Sequence, residues 1–348
     1  MKSVLNPIHS RIIMNLKQLS SVVAVALVVA VTGCNKAGKL SEESKFKPPT
    51  GPVELKVKWT PDEQVVQSMD MKMKAEVNVP GRPEPMQQDM SMGQKFALKV
   101  LNETPEGGHE LQLEFLSAQM SMEMGGKKMF DYDSSRNSGA DSTNPVAAMF
   151  GKIIGSKIQF YLDTSNNVER VEGVEDLVNK ITSGGPAAAV GPLKSMFSEG
   201  YFKQMMSSSR FLPTTAVAPG DSWQKQLEFP MDMFGTMVLD YTFTFQGWEK
   251  HGSRMCARLE FQGNIKTKPG GNAGPMGMTM NIKDGTTSGV SWFDPELGIV
   301  VDSTMDQKMA MEMTIPKNPN VKQGPGSQPQ TVSTKIDQQI QIKLDSVK

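Results

Sequence analysis

Val65-Val66-Gln67-Ser68-Met69-Asp70-Met71-Lys72-Met73-Lys74-Ala75-Glu76-Val77-Asn78-Val79 is the stretch that decides the fold. Val65, Met69, Met71, Met73, Ala75, Val77 and Val79 share one parity, broken only by Gln67, and Ser68, Asp70, Lys72, Lys74, Glu76 and Asn78 take the other. Successive side chains on a strand point to opposite faces, so a period of two predicts a strand with one buried and one solvated face.

The pattern extends in both directions. Upstream, Val53, Leu55, Val57 and Trp59 alternate with Glu54, Lys56 and Lys58; downstream, past a proline-rich turn at 80–85, Met90, Met92, Phe96, Leu98 and Val100 continue it. Glu106-Gly107-Gly108 predicts a hairpin turn. Leu111, Leu113 and Phe115 are odd-numbered but Ala118, Met120, Met122 and Met124 are even, so a β-bulge is expected near Ser117. Ile158, Phe160 and Leu162 read as a short strand before an Asn166-Asn167 turn. Val174, Leu177, Val178 and Ile181 fall on one helical face, and Leu193, Met196, Phe197, Tyr201, Met205 and Met206 suggest a second helix before Pro213. Alternation returns in Trp223, Leu227 and Phe229, in Met237 to Phe245, in Met255, Ala257, Leu259, Phe261 and Ile265, in Met276, Met278, Met280 and Ile282, in Val301, Met305, Met309, Met311, Met313 and Ile315, and in Val332, Ile336, Ile340, Ile342 and Leu344. Leu162-Asp163-Thr164-Ser165-Asn166-Asn167-Val168 is weakly repeated in Phe293-Asp294-Pro295-Glu296-Leu297-Gly298-Ile299, with Asn167 and Gly298 where a hairpin wants a left-handed residue. The expected fold is mainly β (α+β), with one or more large curved antiparallel sheets. Its two related halves, about 53–173 and 213–348, flank a short helical insert at 174–212.

The start of the chain has a different character. Lys2, Arg11 and Lys17 form a basic region without acids, and residues 22–31 are an unbroken run of Val, Ala and Leu. That run is shorter than the roughly 20 residues a spanning helix needs, and suits the apolar core of a signal peptide beginning at Met1 or Met14. Val31-Thr32-Gly33-Cys34 resembles the lipobox of bacterial lipoproteins. By that resemblance residues 1–33 are a signal peptide and Cys34 carries the lipid. Two or more acyl chains would anchor it stably to a membrane. Asn35 points, by likeness to enterobacterial sorting, to the outer membrane facing the periplasm. Residues 34–52 then form a tether, rich in proline, with about 23 Å of root-mean-square reach.

The 37 basic and 37 acidic residues balance and form no block of one sign, which argues against nucleic acid as a partner. Apart from Cys34 there is a single cysteine, Cys256, so no disulfide framework is expected. The lipobox, the 162–171 hairpin, Ala218-Pro219-Gly220-Asp221-Ser222-Trp223 and Val290-Ser291-Trp292-Phe293-Asp294 together resemble an uncharacterised family of bacterial lipoproteins, a domain of unknown function. At one remove the long amphipathic strands are similar to the lipoprotein-carrier half-barrels of the LolA, LolB and LppX-like group, an analogy of fold only. It implies one curved sheet over helices, holding acyl chains in a groove.

The unusual number is 27 methionines. Many share the apolar parity of the strands: Met69, Met71, Met73, Met90, Met92, Met120, Met122, Met124, Met237, Met276, Met278, Met280, Met305, Met309, Met311 and Met313. They read first as core. A second reading is a soft groove for an apolar ligand (a lipid or acyl chain) or another envelope protein, because an unbranched side chain with three rotatable bonds adapts its shape. The groove candidates are Met69, Met71, Met73, Met120, Met122, Met124, Met278, Met280, Met309, Met311 and Met313. Two further readings stay open: thioethers two apart on a strand reaching one soft ion such as Cu(I), and a sacrificial surface for oxidants. A purely structural envelope lipoprotein completes the alternatives. An open concave face bearing Met71, Met122, Met278 and Met311 would favour the groove, and a closed, filled interior the structural role.

No catalytic constellation, cofactor motif or metal motif is legible, so binding without chemistry is expected. His109 and His251 sit beside turn glycines, Asp131, Asp133 and Asp141 in a loop, and Cys256 on the polar parity near Arg254 and Arg258, either covered or a reactive thiol.

Overall fold

The computed structural model describes residues 43–136, 151–183, 197–206, 211–231, 235–268, 279–316 and 328–348. Among these, twelve strands form one antiparallel sheet. They are β1 (Gln64–Asn78), β2 (Met86–Glu103), β3 (His109–Met124), β4 (Lys127–Asp133), β5 (Lys157–Leu162), β6 (Val168–Glu172), β7 (Ser222–Met231), β8 (Gly235–His251), β9 (Arg254–Lys268), β10 (Thr279–Asp294), β11 (Ile299–Ile315) and β12 (Gln330–Val347). Helices α1 (Val174–Thr182) and α2 (Glu199–Met206) lie between β6 and β7 in the chain. The strand order is β6-β5-β3-β2-β1-β12-β11-β10-β9-β8-β7, with β4 paired to β3. The mainly β fold with a helical insert is therefore what forms.

Two pairings shape the sheet. β1 pairs with β12 from Val65 opposite Val347 to Asn78 opposite Ser333, which fuses the strands before and after the helices into one surface. Open sheets wider than about ten strands tend to curl. Here α2 packs against both β6 and β7, the two outermost strands of the path, so the sheet curls until its edges reach the same helix. Leu177 and Ile181 of α1 and Phe202, Met205 and Met206 of α2 join the inward residues of the strands in one core. Phe202, nearly fully buried, is an anchor that the helical periodicity did not single out.

The phase change in β3 is a bulge. Lys95 faces Ser117 and Phe96 faces Phe115, leaving Leu116 without a partner and 37% exposed. Asp163 and Asp294, the repeated aspartates, do the same job in two hairpins: Asp163 Oδ1 accepts the Ser165 and Asn167 N–H groups, and Asp294 Oδ1 those of Glu296 and Leu297. The left-handed residues are Asn166 (φ 63°) and Gly298 (φ 72°). The first corrects the expectation of Asn167, whose N–H is instead held by the aspartate.

Residues 53–59 do not form the expected ladder strand; only the Val53–Val217 bridge is made. Their period of two is still real, because Leu55 is buried with Leu212, Phe245, Ala257, Phe293 and Val300 in a second, smaller core. An extended chain lying on a surface shows the same one-sided burial as a strand. Together with the end of the tether it is a strap across one end of the sheet. Ser44 N–H donates to Ser253 O at 2.9 Å, and Ser44 Oγ and Lys45 N–H donate to Glu296 Oε2 at 2.9 and 3.2 Å. The Lys58 ammonium donates to Pro295 O at 2.6 Å, and the Trp59 indole to Asn166 Oδ1 at 2.6 Å. The strap thus passes the turns β8–β9, β10–β11 and β5–β6. The far end carries the β1–β2 and β3–β4 turns and the strand ends at Met231, Gly235, Lys268, Thr279, Ile315 and Gln330.

Candidate functional site: a methionine-rich interior

The register sorts the inward side chains by height. Near the strap end the rows are aliphatic and aromatic: Val65, Leu98, Leu113 and Ile158 face one another in turn, as do Val100, Leu111 and Phe160. Toward the far end the rows turn to methionine. Met73 faces Met90, which faces Met122; Met71 faces Met92, which faces Met120. Met124 lies opposite Gln88, Met309 opposite Ile336, Met311 opposite Ile282, and Met280 opposite Met313. Thus β1, β3, β10 and β11 bring nine of the eleven candidate methionines toward the far half of the inner face, while Met69, opposite Gln94 and Ile342, stands nearer the strap end. Met278 lies outside the described residues.

This face is not open to water. Met71, Met122 and Met311 are 2, 4 and 6% exposed; Met69, Met73, Met124 and Met309 are also buried, and Met120, Met280 and Met313 are half-buried. The interior is filled by its own side chains, the arrangement expected of a structural role, so a ligand enters only where the methionines repack. Each buried methionine contributes about 1.5–3 kcal/mol relative to an exposed one.

Amid this apolar surface lies a polar row that the apolar pattern passed over. Gln338 on β12 faces Met73 on one side and Gln307 on the other; Gln307 faces Thr287, Thr287 faces Gly263, and Gly263 faces Tyr241. All four polar side chains are buried. Gln338 Nε2 donates to Met71 Sδ at 2.9 Å and Gln307 Nε2 to Met305 Sδ at 3.1 Å. The two Oε1 atoms have no hydrogen-bond partner, and neither does the amide of Gln67; the Thr287 and Tyr241 hydroxyls are turned to each other. Leaving such a group unmet in a core costs about 1–3 kcal/mol. Burial pushes the Tyr241 phenol well above its ordinary value, opposed by the hydrogen bond with Thr287, so it stays protonated. The sequence signal was a gap: the apolar stripes are interrupted at Gln67 in β1, at Ser303 and Gln307 in β11, and at Thr334 and Gln338 in β12.

The residues weighed for chemistry are placed elsewhere. Cys256 is fully buried, and burial, with the Asp294 carboxylate, pushes its thiol far up. That overturns the reactive-thiol alternative. Arg254 lies against Asp294 at 2.5 Å and Glu296 at 2.9 Å, tying β9 to the β10–β11 turn. Asp131 and Asp133 lie on strand β4 rather than in a loop, against Lys128 and Arg136, and are held below the usual carboxylate range chiefly by hydrogen bonds from Lys128 and Ser135. His251 stacks on Trp292 at 4.3 Å and touches Asp302 at 3.2 Å. Burial lowers His109, beside Trp59. Cys34 and Asp141 lie outside the described residues. No described helix is long and apolar enough to cross a membrane.

The architecture defines a class: a single curled antiparallel sheet, closed at its seam by a helix and filled at one end with methionine. By sequence, the chain belongs to a family of unknown function (DUF6263), whose profile matches residues 106–300. No curated protein matches the sequence. Among solved structures, lipovitellin, described for its lipid–protein interactions, is 9% identical with a TM-score of 0.42 over 84% of this chain; the match spans 26% of the lipovitellin chain. A DUF1329 family protein from Desulfovibrio piger is 10% identical with a TM-score of 0.15, covering 80% of this chain and 85% of that one. A provisional outer membrane lipoprotein-sorting protein domain from Vibrio parahaemolyticus is 12% identical with a TM-score of 0.11, covering 82% and 85%. TM-scores this low establish no shared fold.

Proposed function

We propose that the protein is a lipoprotein of the bacterial envelope, anchored through Cys34 and facing the periplasm from the outer membrane. It binds the chain of an apolar ligand, lipid or acyl, in its methionine-rich interior, without chemistry. The observation that carries the reading is the segregation of methionine along the sheet. At the strap end the same sheet uses Val, Leu, Ile and Phe, residues with well-defined rotamers that specify one packing. Toward the far end β1, β2, β3 and β11 add, beside Val77, Ile282, Val332 and Ile336, a side chain that repacks at little cost. A sheet selected for rigidity alone has no reason to change its packing material halfway.

The strap supports an orientation. Its first described residues lie at the β8–β9 and β10–β11 turns, and the nine bonds back to Cys34 reach at most about 30 Å. A lipid on Cys34 would hold the strap end toward the membrane and the methionine-rich end away from it.

Native mass spectrometry of the full-length protein, purified in mild detergent, tests the binding. Co-purifying lipid or fatty acyl species is the expected result; a ligand-free protein that takes up no added acyl chain would leave only the structural role. Separately, Cys34→Ala should release the protein from membranes into the soluble periplasmic fraction, and continued membrane retention would refute the anchor.

A further inference from the structure

We infer that the buried row of Gln338, Gln307, Thr287 and Tyr241 is a recognition site for an uncharged hydrogen-bonding group, a hydroxyl or an amide, carried by the apolar ligand. This deepens the proposed function and rests on it: the methionines take the hydrocarbon and the row takes the polar group.

Four observations on this row converge. Gln338, Gln307 and Thr287 stand on neighbouring strands β12, β11 and β10 at one height, steps of about 4.8 Å. Gly263 on β9 brings no side chain to the row, and its place is taken by its neighbours: a Cβ added there would stand 2.5 Å from the Asp240 carbonyl oxygen and 3.1 Å from Tyr241 Cδ1. All four side chains are more than nine-tenths buried, and the two glutamine Oε1 atoms have no partner, beside the Thr287 and Tyr241 hydroxyls that are turned to each other. The methionine rows flank the polar one: Met73 faces Gln338 directly, and Met71 and Met305 each accept an amide N–H from it.

The chemistry of the free atoms selects the ligand group. Each Nε2 has turned one N–H to sulfur, and the two carbonyl oxygens are bare and need a donor. Thr287 and Tyr241 offer hydroxyls, which donate or accept. A ligand hydroxyl or amide meets this set, its O–H or N–H donating to a glutamine and its oxygen accepting from a hydroxyl. A carboxylate or phosphate has no hydrogen to give and would face two carbonyl dipoles. The cation at this height, Lys225 opposite Tyr241, is on the edge strand β7 and only half-buried, where burial lowers its affinity for a proton.

The experiment measures displacement of diphenylhexatriene from the full-length protein by 1-hexadecanol, hexadecane and hexadecanoate. Wild type should prefer hexadecanol over both others by about tenfold. The double variant Gln307→Met, Gln338→Met should bind diphenylhexatriene as before, lose the preference for hexadecanol, and melt about 2–4 °C or more above wild type, since two unmet polar groups are gone. Equal displacement by hexadecanol and hexadecane in wild type would overturn the recognition site and leave the apolar reading intact, as would preference for hexadecanoate. A hexadecanol preference that survives the double substitution, as expected if the row holds only water, also overturns it. Failure of wild type to bind diphenylhexatriene at all is the separate failure of the proposed function.

Discussion

At the residue scale the decisive feature is how each buried polar group is met. Asp294 is fully buried and its charge is matched by Arg254, itself 8% exposed at the side chain. Replacing Arg254 by Leu strands that carboxylate, and urea denaturation should show a loss of about 3–5 kcal/mol; a change below 1 kcal/mol would mean the pair is not structurally coupled. Glu296 is opposed by partial burial, but the Ser44 hydroxyl, Arg254 and the Lys45 N–H outweigh it and hold its carboxyl below the ordinary 4.5. A depressed acid stabilises the fold above its unfolded value and loses that contribution as pH falls through the folded one. The strap contact at Ser44 and Lys45 should therefore loosen below about pH 4.5, seen as reduced hydrogen-exchange protection of the Lys45 amide at pH 3. Protection equal at pH 3 and 7, after correction for intrinsic exchange, would break the link.

At the element scale α2 is the stopper of the seam. Phe202 sits against Phe160 of β5 at 6.4 Å and against Phe197 and Tyr201. Phe202→Ala should cost about 3–5 kcal/mol through the cavity left behind, and should speed limited proteolysis around β6 and β7 before the central strands are touched. Uniform loss across the sheet would argue that α2 is not a separable closure. On β10 the close approach is different in kind. A Cβ on Gly289 would stand 2.1 Å from the Thr304 carbonyl oxygen and 2.4 Å from Phe261 Cζ. Gly289→Ala should thus destabilise by about 1–3 kcal/mol, measured by chemical denaturation, and a neutral result would require the ladder there to be looser than it is.

At the scale of the whole molecule, one continuous sheet serves as both wall and packing. Because β1 pairs with β12, the ends of the domain close the middle of the sheet, and the inward face of both halves becomes a single interior. Softness should then be a property of that interior rather than of any one methionine. Substituting Met71, Met92 and Met122 together by Leu should keep the fold, at less than about 1.5 kcal/mol per site, while narrowing the range of acyl-chain lengths retained in native mass spectrometry. An unchanged range would show that methionine is there for packing alone.

The sequence by itself determined the strands and which of their faces is buried, because a period of two is written locally: β1, the bulge at Leu116 and helix α1 were all legible from parity or helical spacing. It determined too that methionine dominates several buried faces. Only the tertiary structure decided that those faces share one interior, that they gather toward the end opposite the strap, and that Gln307 and Gln338 stand side by side with Thr287. Those facts depend on register between strands distant in sequence, which parity along a single strand does not encode. The strap misled for a related reason: Val53 to Trp59 alternate because one side of an extended chain is covered, and what covers it is known only once β8, β9 and β10 are folded beneath it.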